Sequence, residues 1–183
     1  MLARRPAELG EWLADATAFE AAGAAALWVD PDPDAGLDPL ALLAALAALT
    51  SRALLVAAPP TDRPAEGLAG TLATVGRLSH GRLALVADPD RLGELAAVAP
   101  GCELFRRLPE TPAAFERVPG DGEAERWVQA PPPDSREAWR SALAAAADGG
   151  TAGLLVPAGP RLLDILRHPD DPDGRQDLQL AQG

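Results

Sequence analysis

The sequence predicts an α/β domain with parallel strands, and three observations carry that prediction. Compact apolar runs begin near Leu27, Ala53 and Leu83, a repeat of roughly thirty residues that matches one strand-helix-strand step. Leucines and alanines at helical spacing fill the intervals between the runs. Loops of proline, aspartate and glycine follow the first two runs. This order fits a TIM-type barrel or a doubly wound sheet, and local pattern leaves both open.

Taken in order, Trp12, Ala16 and Phe19 share one face of a first helix over about residues 8–22, which Gly23 terminates. Leu27-Trp28-Val29 is a short strand. Proline and aspartate make Asp30 to Pro39 a loop at that strand's carboxyl end, where α/β proteins place ligands. Leu40, Leu43 and Leu46, beside Leu42 and Leu49, form a second helix that is apolar around much of its girth and therefore buried. Ala53 to Ala57 is the next strand. Leu68, Leu72 and Val75 build a third helix, and LSHGR turns it into the strand Leu83 to Val86.

From Asp88 to Glu125 the periodicity weakens to a short helix around Leu92 to Ala97 and a strand at Cys102 to Phe105, with the remainder read as surface loop. Regularity returns with a strand at Arg126 to Gln129 and a stiff proline connection. Asp134 and Glu137 then have capping-box spacing ahead of a helix lined by Trp139, Leu143 and Ala146. Gly153 to Val156 is a further strand, and Arg161 to Arg167 a last helix capped by Gly159. The domain therefore spans residues 1–167, and the polar segment 168–183 is an irregular tail that reaches a partner through Leu178 and Leu180.

Bulk composition excludes several classes of function. A length of 183 residues with 48% hydrophobic and 23% charged content describes one globular domain. A net charge of −11 lacks the basic stripe that nucleic acid or an anionic membrane surface requires. All 16 basic residues are arginine, which rules out lysine chemistry such as a Schiff base. Cys102 stands alone, so no intrachain disulfide forms, and with no signal or membrane-length segment the expected location is cytoplasmic.

Candidate chemistry is sparse. Asp30, Asp32 and Asp34 alternate in a loop, but neither they nor Asp171-Pro172-Asp173-Gly174 match a calcium loop, so both read as solvated turns and no metal is expected. His80 lies in the LSHGR turn, opposite the usual α/β active face, where a capping or surface role suits it better than catalysis. His168 ends the last helix, where a cation complements the dipole. Gly159 opens that helix, and free N–H groups there form the anion site that any helix start provides.

Three segments taken together resemble the bacterial-luciferase-like family of flavin-dependent monooxygenases: AFEAAGAAALWV (Ala18 to Val29), DPLALLAALAALTSRALLV (Asp38 to Val56) and LAGTLATVGRLSHGRLALV (Leu68 to Val86). The last is similar to the family's signature of a helix, an LS-x-GR turn and a strand. The resemblance implies a TIM-barrel-like (β/α) fold, shortened relative to eight strands, because the family's opening strand has no counterpart and the middle is compressed. It implies FMN, or in some branches a deazaflavin, at the carboxyl ends of the strands, with Asp30, Ala57, Ala58 and Ala87 lining the pocket and Gly159 near the phosphate. Asp30-Pro31-Asp32 stands where many members carry glutamate and histidine, and Ala87-Asp88-Pro89 replaces a glycine-rich strand end, so no catalytic residue is assigned. Two functions follow as expectations. One is flavin-dependent oxidation or reduction of a small organic substrate, and the other is a catalytically degenerate paralogue that keeps the scaffold without redox turnover and serves as a binding or partner subunit. Either way, open sheet edges call for a partner chain, expected as a homodimer.

Overall fold

A computed structural model of the chain describes residues 9–29, 36–110, 113–118 and 123–171. The chain order is α1 (Leu9–Ala21), β1 (Ala26–Val29), α2 (Pro39–Leu49), β2 (Leu54–Ala57), α3 (Ala65–Leu78), β3 (Leu83–Ala87) and α4 (Pro89–Val98). It continues with β4 (Glu103–Leu108), β5 (Ala114–Val118), β6 (Glu125–Gln129), α5 (Arg136–Asp148), β7 (Thr151–Leu155) and α6 (Pro160–Arg167). The seven strands form one sheet in chain order, parallel from β1 to β4, antiparallel across β4-β5-β6 and parallel again from β6 to β7. Among the described residues no helix is long and apolar enough to cross a membrane.

The sheet is curled into a half-barrel. Adjacent strands lie about 4.8 Å apart, so in a flat sheet β1 and β5 would be separated by about 19 Å. Instead the rings of Trp28 on β1 and Phe115 on β5 have centroids 4.8 Å apart. Trp28 also meets Phe105 on β4 at 5.1 Å, and Phe105 meets Trp127 on β6 at 5.5 Å, edge to face. Such pairs contribute about 0.5–1.5 kcal/mol each beyond their buried area. The concave side of the sheet is thus closed over by aromatic rings from strands that are distant in the sheet.

Strand alternation sorts the core into two layers. Trp28, Val56, Ala84, Val86, Phe105, Phe115 and Leu155 face inward. Leu27, Val29, Leu55, Ala57, Leu83, Leu85 and Ala87 face outward, against Leu40, Leu43 and Leu46 of α2 and Leu68, Leu72 and Val75 of α3. Because helices cover the outside of β1 to β3, both faces of these strands are buried, and β3 reads LALVA without a polar position.

The middle of the chain differs from the surface loop that weak periodicity predicts. Residues 103–108, 114–118 and 125–129 are three strands joined without helices. Several of their outer positions meet water and carry ion pairs: Arg106 binds Glu116 on the neighbouring strand, and Arg126 binds Glu110 beyond the end of β4. Alternating charge in short strands is poor evidence for a strand by hydrophobic counting, which explains the missed β5. Two smaller corrections concern α5 and β7. Ser135, not Asp134, caps α5, its Oγ accepting from the Ala138 N–H at 3.0 Å. The strand expected from Gly153 begins at Thr151. Leu178, Leu180 and the rest of the expected tail contact lie outside the described residues, as do Asp30, Asp32 and Asp34.

Gly153 has a specific reason to be glycine. It pairs with Trp127 in the sheet, and a Cβ at this position would lie 2.5 Å from the indole ring. Gly153→Ala therefore overpacks the inner layer, and urea denaturation is expected to show a loss of about 1–3 kcal/mol. The double variant with Trp127→Leu should lose less than the sum of the two single changes, because the clash is gone.

Candidate functional site

The two ends of the sheet have different chemistry. At the amino end, α1 carries Glu20 in its last turn, an unfavourable place for an anion by the helix dipole. Its carboxylate is buried and turned onto the connection between α2 and β2. Oε1 accepts from the backbone N–H groups of Ser51, Arg52 and Ala53 at 3.0, 2.8 and 2.8 Å, and Oε2 accepts from Ser51 at 3.1 Å. Burial alone raises the carboxyl's pKa, but these three donors and the nearby charge of Arg82 outweigh it and hold Glu20 below the ordinary glutamate value.

Arg82, the arginine of LSHGR, completes the arrangement from β3. Its Nη1 donates to Ala53 O at 2.8 Å and Thr50 Oγ1 at 3.1 Å, while Nη2 donates to Thr50 O at 2.8 Å. The guanidinium thus satisfies carbonyl groups left open where α2 ends. The turn that delivers it is tightly built: Ser79 is fully buried, and His80 and Gly81 take φ values of 53° and 80°. His80 consequently serves the reversal between α3 and β3, at the end of the sheet opposite the carboxyl mouth.

At the carboxyl end, two charged side chains lie just beyond the aromatic layer. Asp88 follows β3 and stands at the N-cap of α4, yet its side chain makes no capping bond. Instead Oδ1 lies 3.3 Å from Nε of Arg107 on β4, and the Arg107 guanidinium lies over the ring of Phe115, 5.5 Å from its centroid. Both charged side chains are substantially exposed, so the pair marks a position more than it stabilises the fold. Ala58 packs against the edge of the same inner cluster.

The sequence candidates fall in separate places. Ala57 and Ala87 are buried with their methyl groups in the helix-side core, whereas Ala58 is on the inner side. Gly159 is the N-cap of α6, with extended backbone, and its carbonyl accepts from the Leu163 N–H at 3.0 Å. Pro160 at the first helical position carries no N–H, which reduces the donors available to an anion there. Asp30 lies outside the described residues. Asp88 is marked in the sequence only as part of the altered strand end Ala87-Asp88-Pro89, and Arg107 and Phe115 carry no local signal that sets a mouth position apart from other strand positions. Among the described residues, no group of three or more histidine, cysteine, aspartate or glutamate side chains is placed to hold a metal ion.

A third feature is the seam between the first and last strands. β1 and β7 end the sheet order and are not paired with each other. Outside them α1 packs against α6, and between them lies a cavity of about 250 Å³. Its walls come from both edges, through Ala24 and Leu27 on one side and Gly153 and Leu154 on the other, with Trp139 and Leu143 of α5 beside them. Leu143, at the rim of this cavity, is 44% exposed. No family model, curated protein or solved structure matches this chain.

The Glu20 cluster has a definite pH signature. A carboxyl with a depressed folded-state pKa contributes stability that is complete above its unfolded pKa and is lost as pH falls through the folded value. Wild type should therefore exceed Glu20→Gln in stability at neutral pH, and the gap should close on acidification below the ordinary glutamate range. Glu20→Ala, which leaves the buried N–H of Ala53 and the part-buried N–H groups of Ser51 and Arg52 without this acceptor, should cost about 1–3 kcal/mol at neutral pH by urea denaturation. A pH-independent gap between wild type and Glu20→Gln would show that the carboxylate's charge is not what matters.

Proposed function

We propose that the chain is a luciferase-like half-barrel that acts as a binding or partner subunit without redox turnover of its own. The observation that carries this reading is the seam, where two strand edges border one apolar cavity next to an exposed leucine. Unpaired edges favour association, because an added chain supplies backbone partners and removes apolar area from water. A second copy of the chain is the occupant we propose, in a homodimer. Light scattering coupled to gel filtration should give twice the monomer mass, and Leu143→Glu should shift it to the monomer while circular dichroism stays unchanged. A monomeric wild type at high micromolar concentration overturns the homodimer.

A second reading, a flavin-dependent oxidoreductase using FMN on a small organic substrate, is favoured by the carboxyl mouth. Arg107 there presents a guanidinium fixed over an aromatic ring, the kind of group that binds a phosphate by charge-assisted hydrogen bonds. In that case the flavin would carry the electron chemistry, while Ala58, Phe115 and Arg107 would serve to position it and exclude water. Visible absorbance titration with oxidised and photoreduced FMN separates the readings. No saturable change in either state supports the partner subunit. Saturable binding, weakened about tenfold or more by Arg107→Met, supports the flavin enzyme, since one charge-assisted bond is worth at least that factor.

A further inference from the structure

We draw no further inference here: the strongest candidate beyond the seam and the mouth, the groove of about 290 Å³ between α3 and α4 that Cys102 and Arg77 line, rests on a lone cysteine with no second observation that points to a ligand.

Discussion

The fold depends on how the connection from Thr50 to Ala53 is held. This short stretch ends α2 and starts β2, and it is clasped from two sides by charged groups that come from other αβ units. Glu20 reaches it from α1 and accepts its N–H groups, while Arg82 reaches it from the start of β3 and donates to its carbonyls. A negative side chain serves donors and a positive one serves acceptors, so each charge is set against the backbone polarity that suits it. The clasp sets the amino ends of β2 and β3 at one level relative to α1. Their parallel pairing then follows with Leu55 opposite Leu83.

From that fixed end the sheet is shaped by what covers each face. Helices on the outside of β1 to β3 demand apolar residues there, and the aromatic layer demands them inside. Where helices cease, between β4 and β6, the chain reverses direction twice and its outer positions become Arg106, Glu116 and Arg126. The inner positions of the same strands stay aromatic, because Phe105, Phe115 and Trp127 must still meet Trp28 across the hollow. At the amino ends of β4 and β6, beside the carboxyl end of β5, the aromatic layer gives way to Arg117, bound between Glu103 at 2.6 Å and Glu125 at 3.0 Å. The short antiparallel excursion therefore replaces helical steps without opening the core.

This architecture sets the clasp apart from the seam and the carboxyl mouth. The most recognisable words in the sequence, LSHGR, belong to the clasp and to the turn that feeds it, so their presence speaks for the scaffold. Away from that turn, the seam and the carboxyl mouth have unlike chemistry. The seam offers apolar side chains and strand edges suited to another polypeptide, whereas the mouth offers one guanidinium stacked on a ring beside one carboxylate.

Much of the scaffold was legible in the chain itself. Trp12, Ala16 and Phe19 at helical spacing, the leucines of α2 and the continuous apolar run of β3 announce helices and buried strands, because local periodicity is imposed by covalent geometry and the demand for burial. Asp38 shows the same locality, its carboxylate accepting from Leu40 N–H at 2.8 Å to start α2. What the sequence does not determine is which way a residue faces in a strand buried on both sides. Nothing in LLVAA distinguishes Ala57, turned into the helix layer, from Ala58, turned inward, since an apolar run carries no alternation to read. The direction of β5, the pairing of Arg107 with Asp88 and the unclosed seam were likewise decided only in three dimensions. Each depends on the curvature of the whole sheet, which sets the spacing between strands that are far apart in the chain.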